Sequence, residues 1–515
     1  MGNRIRKYRW LLVLFLIVGL GTFLRVLHLG KECLWLDEAI SYHRGLMSLS
    51  SIIRASYGWD VHPPTYYLIV HFITQLGKSE ATLRLFSAVC GILAIPVFYQ
   101  LGRQMMGKRE AFISAFLLAI SVFHIRFSQE ARVYSLFFLI SLFSILFFYK
   151  AFTRQDKRDW LLWAGISLIH FYIHYFSLVL LGAEVLFYVF YALFQKTARG
   201  SLRHHRWFFL ASLFILVGCV PQIFFFLGQI ASKINASTQL QSFDPIQFVL
   251  VFLKNVTNPV ELSNPLLERS LKYLVGAFVF LGILLGWSKY KDVILFNGAI
   301  ISFALLLAWI SSLFIYFSGS FRYIIFLNAP FLLLLSLAIT AVADGVVDRF
   351  ARLFPRFVQK EGRALGKLKH IEMLVILVMF STLHLYVLVH YYHHPQKPDW
   401  RTGISHLVEN YRENDLIVPI PDYADHVPRY YLALYRVRPR VMRVNNLSCA
   451  VMDSLVSEHP NVFFVTDGPL PTFMPREKID EWLDQKARLI WQDPHFPGSA
   501  IWLTSSLSLS RFRGM

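Results

Sequence analysis

Two adjacent carboxylates, Asp37 and Glu38, follow the aromatic-apolar turn Leu34-Trp35-Leu36. Either can cap a helix, because a carboxylate there satisfies unpaired N–H groups and meets the positive end of the helix dipole. Either can also serve as a general base held at a membrane surface. Further along, His62-Pro63-Pro64 precedes Thr65-Tyr66-Tyr67, and the prolines fix the backbone ahead of a helix. His62 suits a metal ion, a phosphate, a sugar hydroxyl or a plain structural hydrogen bond. A third run, His124 to Tyr134, contains Arg126, Gln129, Glu130, Arg132 and Tyr134. Arg126 and Glu130 stand at i and i+4, the spacing of a helix-surface ion pair worth about 0.2–0.5 kcal/mol. Guanidinium forks are also the preferred bidentate ligands of phosphate. Arg322, followed by Tyr323, adds another fork. Three arginines and two carboxylates suit an anionic lipid headgroup with a base nearby.

The elements that must position these groups are membrane helices. Of 515 residues, 56% are hydrophobic and only 16% are charged, and the mean hydropathy is +0.48. Apolar runs long enough to cross about 30 Å of hydrocarbon alternate with short basic clusters. The net charge of +19 lies in those clusters and not on one amphipathic face. That distribution excludes nucleic acid and fits a topology signal with attraction to anionic lipid. The basic start, Arg4 to Arg9 ahead of Trp10 to Leu24, reads as a retained signal anchor.

Orienting the runs by the positive-inside rule gives about eleven spans with a cytoplasmic amino terminus. Spans two to four are Leu83 to Leu101, Ala111 to Phe123 and Val133 to Tyr149; five and six turn near His174 and Tyr175. Eight and nine are Leu271 to Trp287 and Val293 to Phe317. Residues 1–392 form the membrane domain, with long outer loops at 31–80 and 228–270. Pro64 to Leu76 is too short to cross and reads as an interfacial or re-entrant helix. Every basic cluster between spans then faces the cytoplasm, except Arg126, Arg132 and Arg322. Glu184, at depth in span six, is either a functional group or a neutral one hydrogen-bonded between helices, with His170 or His174 as candidate partners.

Residues 393–515 change character. Short β-like runs at Leu416 to Pro419, Arg440 to Val444, Val462 to Val465 and Ala500 to Thr504 alternate with helical stretches at Arg401 to Tyr411 and Arg476 to Arg488. This pattern predicts a small soluble α/β domain on the outer face. It has no glycine-rich phosphate loop. The four cysteines (Cys33, Cys90, Cys219, Cys449) form no framework and no zinc spacing.

The ordered set Leu36-Asp37-Glu38-Ala39, His62-Pro63-Pro64 with Tyr66-Tyr67, and Ser128-Gln129-Glu130-Ala131-Arg132-Val133-Tyr134 resembles the GT-C membrane glycosyltransferases. The resemblance is to the bacterial branch related to protein O-mannosyltransferases and lipid A aminoarabinose transferases. Arg322-Tyr323 ahead of Ala329-Pro330 and Lys397-Pro398-Asp399-Trp400-Arg401 extend it along nearly the whole chain. The resemblance implies a GT-C-like all-α membrane fold whose enzyme moves one sugar, with inversion, from a polyprenyl-phosphate donor. Its acceptor would be a glycan, lipid or protein on the outer face of the cytoplasmic (inner) membrane. It further implies Asp37 as base with Glu38 adjacent, and Arg132 and Arg322 meeting the departing phosphate. A divalent cation near the site, held by Glu38, His62 or Glu130, is a further expectation of that family, without metal-specific spacing here. Two other classes compete: a transporter or flippase of lipid-linked sugars, and a ligase or polymerase of whole glycans. A transporter calls for midplane polar groups and paired repeats, whereas the polar residues here gather in loops.

Overall fold

The computed structural model describes residues 2–57, 62–194, 202–234, 244–257, 259–260, 264–313, 321–353, 362–437, 440–444, 447–467 and 476–505. Asp60, Val61, Lys196, Arg199, Arg356 and Lys360 lie outside them. The chain divides into two compact units. One comprises residues 1–27, 49–69 and 84–393; the other comprises 28–48, 70–83 and 394–515.

The first unit is helical, as backbone surrounded by hydrocarbon must satisfy its own hydrogen bonds. Its helices are α1 (Gly2–Val26), α3 (Leu49–Ser56), α6 (Lys108–Ile120), α7 (Val122–Ser128), α8 (Tyr134–Arg154), α9 (Lys157–Ile173), α10 (Ser177–Phe194), α11 (Leu202–Ile234), α12 (Pro245–Thr257), α13 (Pro265–Ser312), α14 (Asn328–Leu353) and α15 (Gly362–His393). Two more, α4 (Thr65–Leu76) and α5 (Glu80–Met105), run through both stretches of chain. Local signals set the ends. Asn264 caps α13 by accepting from the N–H groups of Leu266 and Leu267, with Pro265 in the first turn. Asp156 caps α9 through the N–H of Arg158.

Seven described helices are long and apolar enough to cross a membrane, or eight if the bent pair α6–α7 is one span. The chain is an integral membrane protein. One sequence boundary shifts. The expected third span divides at Ser121, where the chain bends by 56°. The expected eighth and ninth spans fall on the two arms of α13, which meet at a kink at Tyr290. Spans one and five fall on α1, whose apolar part is Trp10–Val26, and on the 17-residue α9.

The bend at Ser121 frees carbonyls at the end of α6, and a buried arginine satisfies them. Arg25, wholly inaccessible to solvent, donates to the carbonyls of Leu118 and Ala119 at 3.0 Å and contacts His124 Nδ1 at 2.7 Å. Helix α14 is the centre of this unit: its most apolar stretch is entirely buried. It packs tightly on α13 because the contact is made by small residues. A Cβ on Gly282 would lie 2.3 Å from Ala338 Cα, and one on Gly286 would lie 3.2 Å from Ala341 Cβ. This is the small-residue seam by which membrane helices approach closely. Gly282→Leu should therefore destabilise the protein by about 1–3 kcal/mol or more through overpacking. The expected readout is a lower melting temperature in detergent, and an unchanged melt would refute the close contact.

Glu184 has partners other than the two histidines. It accepts from Trp163 Nε1 at 2.8 Å and from Ser144 Oγ at 3.1 Å. His170 bonds Ser141 instead. Trp163 and Ser144 lie on α9 and α8, so Glu184 on α10 ties three consecutive helices together.

The second unit contains a five-stranded sheet in the order β2-β1-β3-β5-β4. The strands are β1 (Leu416–Ile420), β2 (Arg440–Val441), β3 (Asn461–Thr466), β4 (Arg488–Gln492) and β5 (Ala500–Ser505). β1 pairs in parallel with β2 and β3, while β5 runs antiparallel to β3 and β4. Helices α16 (Trp400–Asn410), α17 (His426–Leu434), α18 (Cys449–Glu458) and α19 (Arg476–Lys486) accompany it. Leu416, Val418, Val462, Phe464, Ile479 and Leu483 form its core. Two early pieces of chain belong to this unit and are tied in by one arginine. Arg401 donates to Lys31 O at 2.7 Å, Gly30 O at 2.9 Å and Glu80 Oε1 at 2.8 Å. Tyr431 adds bonds to Glu80 at 3.2 Å and from the N–H of Leu34 at 2.7 Å.

Candidate functional site

In the first unit, four separate segments bring ring and guanidinium groups together. His62 sits in the turn ahead of α4, held there by Pro63 and Pro64. Arg132 lies in the loop between α7 and α8, and Tyr134 opens α8. His174 occupies the turn between α9 and α10. Arg322 and Tyr323 lie on a short 3-10 helix, Phe321–Leu327, that leads into α14.

The contacts are close. Arg132 Nη2 stands 2.9 Å from His62 Nε2, and both residues are buried. The Arg132 guanidinium lies 5.9 Å from the centre of the Tyr134 ring, and that of Arg322 lies 5.6 Å from the same ring. Arg322 is also 5.4 Å from the ring of Tyr323. Cation–π contacts hold both forks on one aromatic platform. The His62 and His174 rings are 4.9 Å apart, and Tyr323 packs on both at 6.0 and 5.4 Å. Ser87 fixes the loop by donating to Arg132 O at 3.1 Å. Two permanently charged groups lie beside one another here with several hydrogen-bond donors, an arrangement complementary to a phosphate.

Other residues of the same run turn elsewhere. Gln129 closes the end of α1: its amide donates to Leu27 O at 2.7 Å and Arg25 O at 3.2 Å, and its oxygen accepts from Tyr391 at 3.0 Å. Tyr392 likewise bonds Leu24 O. Arg126 pairs with Glu130 at 3.7 Å and donates to Pro259 O at 3.2 Å.

In the second unit, the acidic pair opens α2 (Leu36–Gly45), and its two members differ. Glu38 has no exposed surface, pairs with Lys397 Nζ at 2.8 Å and accepts from the N–H of Trp35 at 3.4 Å. It is the helix-capping member, and its charge is neutralised. Asp37 is half-buried, with its carbonyl accepting from Ser41 at 3.0 Å. Removing one partner of a buried pair strands the other's charge at a cost of about 3–5 kcal/mol. Lys397→Ala should therefore lower the melting temperature markedly, and the double variant Glu38→Gln/Lys397→Met should recover much of the loss. Equal loss in both variants would show that the pair does not act as a unit.

Among the described residues, no group of three or more His, Cys, Asp or Glu side chains could hold a metal ion. Glu38, moreover, is already matched by a lysine. His174 carried no signal in sequence of a place in this cluster; only the fold sets it beside His62.

The chain has the fold of the GT-C membrane glycosyltransferases. ArnT from Cupriavidus metallidurans in the apo state superposes with a TM-score of 0.59 at 14% identity, covering 98% of this chain and 99% of that one. The same protein bound to undecaprenyl phosphate gives 0.58 at 13% identity, covering 95% and 97%. The oligosaccharyltransferase of Archaeoglobus fulgidus in the apo form gives 0.50 at 13% identity, covering 89% and 70%. Residues 61–225 match the family model described as dolichyl-phosphate-mannose-protein mannosyltransferase. No curated protein matches the chain in sequence. The resemblance read from the loop motifs therefore holds for the fold and, over residues 61–225, for the family model.

Proposed function

We propose that this chain is a membrane glycosyltransferase that moves a single sugar, with inversion, from a polyprenyl-phosphate donor to an acceptor at the extracytoplasmic face of the inner membrane. The observation that carries the reading is the cluster of buried Arg132, His62 and Tyr134 with the half-buried Arg322 and Tyr323. Guanidinium forks kept partly from water meet a phosphate's charge far more strongly than exposed ones. The likeness to an ArnT whose structure holds undecaprenyl phosphate supports the same lipid class here. The family model matched by residues 61–225 is also one of sugar transfer from a lipid phosphate.

The chemistry needs one base and a stabilised leaving group, and no enzyme nucleophile. An acceptor hydroxyl attacks the anomeric carbon from the side opposite the phosphate. The new C–O bond forms as the bond to phosphate breaks, and that electron pair leaves on the phosphate oxygen. Asp37 takes the acceptor's proton. Arg132 and Arg322 meet the developing charge. Glu38, paired with Lys397, is a positioning residue at the start of the same helix. Gln129, Arg126 and Glu130 hold the loop that carries Arg132.

The test is sugar transfer or slow hydrolysis by the purified protein in detergent, using a panel of polyprenyl-phosphate sugars. Turnover with one donor would establish the transferase and identify its sugar, and product analysis would distinguish single-sugar transfer from glycan ligation. Translocation of labelled donor in proteoliposomes without turnover of any donor would overturn the reading in favour of transport.

A further inference from the structure

His174 is 2% exposed and closes the turn between α9 and α10. Its Nδ1 accepts a hydrogen bond from the backbone N–H of Phe176 at 3.1 Å, so Nδ1 carries the lone pair. A neutral imidazole has one ring proton, which must then sit on Nε2. Burial holds its pKa well below the ordinary histidine value, and the charges of Arg132 and Arg322 push in the same direction, so the neutral ring is favoured. Nε2, the other ring nitrogen, is enclosed and has no hydrogen-bond partner among the described residues.

A buried N–H donor left without an acceptor costs about 1–3 kcal/mol. Packing alone does not explain it. The ring lies 4.6 Å from Phe137 and 5.4 Å from Tyr323, and a phenylalanine would fill the same space without that cost. The ring is also 4.9 Å from His62 and within electrostatic reach of both Arg132 and Arg322. The donor therefore belongs to a cluster rich in donors and cations, whose natural complement is an anion bearing several acceptor oxygens.

We propose that the Nε2–H of His174 donates a hydrogen bond to a phosphate oxygen of the polyprenyl-phosphate carrier, beside the Arg132 and Arg322 forks. This rests on reading that cluster as the seat of the donor's phosphate. His174 is then a neutral reader of the headgroup that adds direction to the charge supplied by the arginines.

The test is binding of undecaprenyl phosphate, undecaprenol and inorganic phosphate to the full-length protein in lipid nanodiscs. Wild type is compared with His174→Phe, which keeps the ring stack and removes the donor. His174→Gln keeps an N–H near the Nε2 position. His174→Phe should weaken undecaprenyl phosphate binding about ten- to a hundred-fold, the range for a hydrogen bond to a charged group. His174→Gln should stay within a few-fold of wild type, and undecaprenol binding should not change. If His174→Phe does not fold, His174→Leu carries the same comparison. Wild-type affinity in the donor-free variant would overturn the role of His174 while leaving the cluster intact. Equal loss in the Gln variant would assign the effect to ring shape and also overturn it. Tight binding of inorganic phosphate alone, lost in His174→Phe, would make free phosphate the ligand. Failure of wild type to bind undecaprenyl phosphate would remove the reading of the cluster itself.

Discussion

Asp37→Asn should lower sugar transfer about 10²- to 10⁴-fold, the usual contribution of a positioned general base, while leaving binding of undecaprenyl phosphate close to wild type. The two carboxylates of α2 are chemically alike but differently placed. Glu38 is wholly enclosed and matched by Lys397 at 2.8 Å, so its lone pairs are committed to the helix start. Asp37 keeps part of its surface exposed in the first turn. Asparagine suits the same turn, so the variant should fold, and a melting temperature near wild type would verify that. The acceptor's proton then has nowhere to go, and the loss should fall on kcat. An Asp37→Asn enzyme as fast as wild type would take the base away from this residue.

The second large effect is expected at the arginines. Arg132→Ala or Arg322→Ala should reduce turnover about 10²- to 10³-fold, as removal of one group that stabilises developing charge does elsewhere. Unlike the Asp37 variant, each should also weaken donor binding, because the ground-state phosphate is already charged. Lysine should rescue poorly at both positions. Both guanidinium groups stand over the Tyr134 ring, at 5.9 and 5.6 Å, and Arg132 also reaches His62 at 2.9 Å. An ammonium cannot stack and bridge in that way. The losses should not add in the double variant, since the two forks share Tyr134 and one ligand. Full activity in Arg322→Lys would show that point charge alone suffices there.

The sequence was most informative where chemistry and local order coincide. Asp37-Glu38, His62-Pro63-Pro64 and the Arg132 loop are short runs of unlike residues, and they mark the positions where the fold places charge. The strands around Leu416, Val462 and Ala500 announced themselves by apolar β-branched runs. By contrast, β4 at Arg488–Gln492 has two polar ends and a bulge between Leu489 and Trp491, which breaks the alternation that marks a strand. The join at Tyr290 was read as a loop between spans because Lys289, Lys291 and Asp292 interrupt the apolar pattern. There the two arms of α13 meet at a kink with no loop between them. The Tyr290 phenol donates to Glu110 at 2.6 Å, a partner 180 residues away that no local window contains. Separating Asp37 from Glu38 required the partner Lys397, 359 residues distant. His174 illustrates the same limit: the role proposed for it depends on a tautomer fixed by Phe176 and on the nearness of His62 at 4.9 Å, neither of which leaves a spacing in sequence.

The Arg401 tie also has a consequence in time. It joins carbonyls made early in synthesis to a guanidinium made 370 residues later. At about 5–20 residues per second, a ribosome needs roughly 20–75 s to cover that interval. Throughout it, Glu80, Glu38 and the carbonyls of Gly30 and Lys31 wait without their basic partners. The second unit cannot close until the carboxy-terminal segment has been delivered. A chain truncated before Lys397 would therefore lack the basic partners of both Glu38 and Glu80, so the early segments of the second unit would have to hold their charge without them.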